Sequence, residues 1–117
     1  MGTNYYAVKN RPTTQEPIHI GKSSIGWLFC FERQHIPWND PPVEWNTYEQ
    51  VKDWLIKYTV ESDYYVIINE YDEIISFDEF VEMVDEKQND EFCKSNEDNF
   101  AYSDNVNGYR FTEGDFC

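Results

Sequence analysis

The sequence predicts an α+β fold, a small antiparallel sheet of about five or six strands with two amphipathic helices. Three observations lead there. Short runs of bulky residues alternating with polar ones recur along the chain, separated by Pro, Gly and Asn. Two stretches switch to a helical period, each opened by an N-terminal capping pattern. Near the end, Asn107-Gly108 lies between two alternating arms, the strongest short-range signal for a hairpin.

In chain order, TNYYAVKN (3–10) alternates and reads as a strand, and RPTTQEP (11–17) is a loop broken by Pro12 and Pro17. IHIGKSSIGWLFCFER (18–33) reads as two strands, roughly 18–20 and 25–32, joined by a short Gly-Lys-Ser-Ser turn. The loop HIPWNDPPVEWN (35–46) holds three prolines and is expected to be packed down by Trp38 and Trp45. Thr47 and Gln50 cap a helix whose stripe is Val51, Trp54, Leu55 and Tyr58. In DYYVIINEYDEIIS (63–76), Tyr65, Ile67 and Asn69 share one strand face. Residues 70–73 turn, and Ile74 and Ile75 resume the pairing. Ser76 and Glu79 cap a second helix with Phe77, Phe80, Val81 and Val84 inward. KQNDEFCKSNEDN (87–99) is a polar loop, and the closing hairpin turns at Asn107-Gly108.

A chain of 117 residues with 40% hydrophobic and 18% aromatic content fills a single domain, 1–117, and excludes wholesale disorder. No apolar run is long enough to span a membrane, and the start lacks the blocks of a signal peptide, so a cytoplasmic protein is expected. Three scattered cysteines, Cys30, Cys93 and Cys117, then read as free thiols, with Cys30 serving as a small buried apolar residue.

The charge is unevenly placed. Residues 1–60 carry six basic and six acidic side chains and residues 61–117 carry three against seventeen, so the whole net charge of −14 lies in the second half. Such a field repels nucleic acid and attracts basic proteins.

Gly21-Lys22-Ser23 matches the end of a G-x-x-x-x-G-K-[ST] phosphate loop, but Glu16 stands where the first glycine belongs. A strand-like SIGWLFCF also follows where a helix is required to present its N–H groups. Nucleotide hydrolysis is excluded on that motif, and Gly21 and Gly26 read as turn or bulge glycines. His19, Lys22, Ser23 and Ser24 form the alternative ligand site, with His19 as acid–base group and Lys22 with a serine holding an anion. Residues 103–114 resemble half a calcium loop, but Ser103 and Gly114 occupy its first and twelfth positions. Two histidines and three distant cysteines offer no metal set, so neither metal nor cofactor is expected and no catalytic residue is assigned.

The second helix has five acids and no base over residues 77–86. Like charges at i, i+3 and i+4 repel, so this is more than an ordinary solvated face. With the adjoining turn, the candidate partner-binding residues are Glu70, Asp72, Glu73, Asp78, Glu79, Glu82, Asp85 and Glu86.

GTNYY (2–6), HIGKSSIGW (19–27), NEYDEIISFDEF (69–80) and GYRFTEGDF (108–116) together resemble a family of small bacteriophage and prophage proteins. That family begins with GTNYY, carries HIGKSS-x-GW and an acidic DEYG-x-x-IS-x-x-E segment, and ends near G-x-x-F-x-x-GEF. Many members place paired cysteines between the first two motifs, which implies a small metal knuckle. AVKNRPTTQEP (7–17) has none, so no metal carries over. The resemblance implies a phage setting and no settled activity. The expectation is a non-enzymatic acidic inhibitor in the cytoplasm of a bacterial host. It would bind a basic, nucleic-acid-binding host protein such as a defence nuclease or CRISPR effector, by mimicry of nucleic acid, with no direct nucleic-acid or membrane contact. The alternatives are a small-ligand or enzymatic domain using the HIGKSS hairpin, and a structural phage protein acting as a homodimer.

Overall fold

The computed structural model describes residues 2–10, 16–24, 29–39, 41–89, 104–106 and 109–112. The elements are β1 (Gly2–Lys9), β2 (Ile18–Ser24), β3 (Cys30–Glu32), β4 (Gln34–Ile36), β5 (Val43–Trp45), α1 (Tyr48–Leu55), β6 (Tyr65–Asn69), β7 (Ile74–Ile75), α2 (Phe77–Gln88), β8 (Asp104–Val106) and β9 (Tyr109–Thr112). A π-helical turn, Ile56–Val60, extends α1. The α+β class with two helices holds.

Among the described residues the main sheet runs β7-β6-β1-β2-β3-β9-β8, with β4 and β5 as a separate ribbon. Its first five strands are antiparallel, built outward from the pairing of β1 with both β2 and β6. The last two depart from the all-antiparallel expectation, because β9 joins β3 in parallel. Val106 faces Tyr109 across β8 and β9, the register of a two-residue hairpin. Asn107 and Gly108 themselves lie outside the described residues, as do most of the 87–99 loop and the half calcium loop's ends.

The Gly-Lys-Ser-Ser stretch is strand rather than turn. Asn4 and Tyr5 pair with Lys22 and Gly21 on one side, and Cys30 and Phe31 pair with them on the other. The bulge expected near Gly21 is present: Tyr5 faces Gly21 while Tyr6 faces His19, which leaves Ile20 as the extra residue. The segment's turn-forming composition yields here to ladder bonds on both edges.

Alternation sends Tyr5, Ala7, Ile18, Ile20, Phe31 and Ile67 to the face that both helices cover. Phe80 of α2 meets Phe29 edge-on at 5.4 Å and Tyr5 at 5.9 Å. Phe31 stacks on Phe111 at 5.0 Å, which ties β9 to the same core. Each such aromatic pair adds about 0.5–1.5 kcal/mol beyond its burial.

Trp45 is fully buried, and its Nε1–H donates to the Glu32 carbonyl at 2.8 Å. Trp54 packs edge-on against it at 5.3 Å and donates to the Pro42 carbonyl at 3.0 Å. These two indoles hold down the proline-rich segment. Trp38 does not share in this and is 81% exposed. It sits in the turn joining β4 to β5.

Cys30 is buried as expected, but it is half of a disulfide bond, which corrects the expectation of free thiols. Its partner, Cys93 or Cys117, lies outside the described residues. An odd cysteine count weighs only the redox setting, whereas pairing depends on which sulfurs the fold brings together.

Candidate functional site

The acidic turn between β6 and β7 is organised by a buried amide. Asn69 ends the inward-facing row of β6, and its Oδ1 accepts from the Tyr71 N–H at 2.9 Å and the Glu73 N–H at 3.1 Å. Its Nδ2 donates to Glu73 Oε1 at 2.8 Å, and its carbonyl accepts from the Asp72 N–H at 3.1 Å. Asp72 takes a φ of 63°, a left-handed conformation that Asp tolerates better than most residues. The neighbouring strand contributes a second clamp, as Glu70 Oε1 accepts from the Asn4 N–H at 2.7 Å and from Asn4 Nδ2 at 3.3 Å. Glu70, Asp72 and Glu73 are thereby held in place while exposed. Burial pushes the Tyr5 phenol above its usual range, and the negative charge of Glu73 adds to the push.

Neither Asn4 nor Asn69 stands out in sequence. Asn69 three residues before Asp72 is a modest signal for an Asx turn, and Asn4 carries none. Removing the Asn69 amide leaves two turn N–H groups without their acceptor. Asn69→Ala is expected to cost about 1–3 kcal/mol, read as a lowered thermal midpoint. Asn69→Asp keeps the acceptor but sets a like charge against Glu73, so partial loss is expected there.

α2 begins at its predicted N-cap. Ser76 Oγ accepts from the Glu79 N–H at 3.1 Å and donates to Glu79 Oε1 at 3.2 Å. Phe80 and Val84 are buried, while Asp78, Glu79, Glu82, Asp85 and Glu86 are exposed. Along the outer face runs a shallow groove of about 480 Å³ with Phe77 and Val81 in its floor and Asp78, Glu82, Asp85 and Glu86 on its rim.

The roles of these acids differ. Glu79 belongs to the cap, and Asp85 accepts a long bond from the Tyr48 hydroxyl at 3.5 Å. Asp78, Glu82 and Glu86 have no ion-pair or hydrogen-bond partner among the described residues. Their i, i+4 spacing costs about 0.2–0.5 kcal/mol per pair. Asp85 and Glu86 also lie toward the C-terminal end of α2, where the helix dipole disfavours carboxylates. Nothing in the helix's own stability calls for acids there.

The described residues of the alternative site divide between the two faces of the sheet. His19 sits on the outer face of the sheet, half-buried, with its ring 5.3 Å from that of Tyr6. Its Nε2 lies 3.0 Å from Asn4 Oδ1, and its Nδ1 lies 3.2 Å from Glu32 Oε2. Because Asn4 Nδ2 donates to Glu70, the amide oxygen is the end turned to the imidazole, so Nε2 donates. Gln34 Nε2 completes the row, donating to Glu32 Oε2 at 2.7 Å and to the His19 carbonyl at 2.9 Å. Nε2 is thus engaged with Asn4, while Nδ1 and Glu32 form an ion pair only when the ring is protonated. Lys22 shares this face, opposite Asn4, whereas Ser23 pairs with Thr3 and points to the other one. The Ser24 side chain is outside the described residues. His35 is an exposed partner of Glu44 at 3.3 Å.

Among the described residues no three His, Cys, Asp or Glu side chains gather as metal ligands would, and no helix is long and apolar enough to cross a membrane. The chain matches no protein-family model, no curated protein and no solved structure.

Proposed function

We propose that this protein is a non-enzymatic acidic inhibitor that docks on a basic, nucleic-acid-binding protein of a bacterial host and blocks it by occupying a cleft meant for phosphates. A defence nuclease complex, such as a CRISPR effector, is the kind of target this reading names, and the bacteriophage resemblance supplies its setting. One observation carries it: Asp78, Glu82 and Glu86 lie in an exposed row on α2, unneutralised among the described residues. Glu82 and Glu86, which repel at i, i+4 with no role at the helix start, would be compensated by an external cation. The rigidly clamped turn acids Glu70 and Glu73 extend the same sign of charge beside it. The bond of His19 Nε2 to Asn4 supports a structural role for this histidine over an acid–base one.

The test is affinity capture from bacterial lysate at low and at high salt, with DNA as competitor. The expected result is one dominant basic nucleic-acid enzyme, weakened by salt and displaced by DNA. Capture that DNA leaves untouched would remove mimicry from the reading, and no salt-sensitive capture would remove the reading itself.

A further inference from the structure

We infer that the acidic face continues into an apolar anchor slot, so that the segment this protein binds carries a bulky apolar residue beside its lysines or arginines. The inference rests on the reading above and adds the partner's chemistry to it. A cavity of about 510 Å³ opens between the π turn, β6, β7 and the start of α2. Ile56, Val60, Ile67, Ile74, Ile75 and Phe77 supply most of its wall. Val60 is 60% and Ile74 71% exposed, an unusual state for aliphatic side chains lining one opening.

The slot adjoins the acidic groove, since Phe77 and Asp78 line both. An apolar centre with a charged rim is how binding energy is distributed in specific interfaces, the anchor supplying affinity and the rim supplying orientation. The widened turn produces the slot locally. Glu61 N–H reaches back to the Ile56 carbonyl at 2.8 Å, and Thr59 Oγ1 donates to the Leu55 carbonyl at 2.7 Å. A π turn of this kind breaks the regular stripe of α1 and leaves Val60 outward.

β7 forms the other wall and is one of the sheet's two outer strands among the described residues. Charge decides the occupant. A second copy docked on this face would bring Asp78, Glu82, Asp85 and Glu86 near the same acids, and such like-charge juxtaposition is disfavoured. A Lys/Arg-bearing segment meets complementary charge at Asp78 in the slot's wall and at Glu82, Asp85 and Glu86 along the adjoining groove.

Two labelled peptides test this by fluorescence anisotropy: a short Lys/Arg peptide with a central Phe-Leu pair, and the same peptide with Ser-Ser in its place. The Phe-Leu peptide is expected to bind about tenfold more tightly, and to retain that preference when salt weakens both. Ile74→Glu should erase the preference. Its added carboxylate can only strengthen attraction for a basic peptide, so the lost preference reports the slot rather than the charge. Val60→Glu is a second variant at an exposed position, and unchanged melting curves would show that both fold. Equal, salt-sensitive binding of the two peptides overturns the anchor slot while leaving the acidic-surface reading intact. Salt-insensitive or absent binding of both overturns the two together.

Discussion

Reversing Asp78, Glu82 and Glu86 to lysine is expected to lower affinity for the captured basic partner by about 100-fold and leave the fold intact. The three side chains are exposed, and none is bonded to another described residue. Glu79 is left in place because it closes the helix cap with Ser76, and Asp85 because it touches Tyr48. Each reversal removes one attraction and introduces one repulsion of similar size, so six modest contributions accumulate. The stability effects offset one another. A lysine at position 78 is disfavoured at the N-terminal end of α2, whereas one at position 86 is favoured at the C-terminal end. Calorimetric titration together with a thermal melt measures both quantities. Affinity within a few-fold of the parent would show that α2 is not the interface.

Gly21→Ala is expected to lose about 3 kcal/mol or more of stability, a drop of roughly 10 °C or more in thermal midpoint. A Cβ at this position would run into the Cys30 carbonyl oxygen and would stand 2.5 Å from Cε1 of Phe29. The first obstacle is backbone of the neighbouring strand, which cannot move without opening the β2–β3 pairing. The second is a fully buried ring in the aromatic cluster. If the glycine served a phosphate instead, the variant would melt like the parent and lose only ligand binding. A parent-like melt would therefore reopen the small-ligand reading of HIGKSS.

How much was legible in the sequence can be seen residue by residue. Thr47 and Ser76 cap their helices as their spacing implied, because a cap is settled by neighbours within four positions. Even there Gln50 turns its side chain to the Asn46 N–H, one residue earlier than the reciprocal bond of a capping box requires. The alternation of Tyr65, Ile67 and Asn69 appears directly as the buried face of β6. The acids of the candidate surface were equally legible, since charged side chains on a helix's polar face remain exposed whatever packs behind them.

Other features were not legible because they depend on distant partners. Gly21, Lys22 and Ser23 are common in turns, yet pairing with β1 draws all three into the ladder. The sequence offered no reason to rank Trp38 and Trp45 apart. Only the β4–β5 ribbon turns one into the core and leaves the other outside. The anchoring of Glu70 by Asn4 spans 66 positions, and a contact of that range leaves no periodic trace.

By itself, then, the sequence determined the two helix starts, the inward face of β6 and the sign and position of the charge. These follow from local sterics, side-chain period and the cost of burying carboxylates. The tertiary structure alone decided the order of the strands, the parallel seam between β3 and β9, the placement of His19 beside Asn4 and Glu32, and the apolar slot beside the acidic helix. Each of those requires two remote segments to meet. Which segments meet is settled by packing of the whole core rather than by any stretch of it.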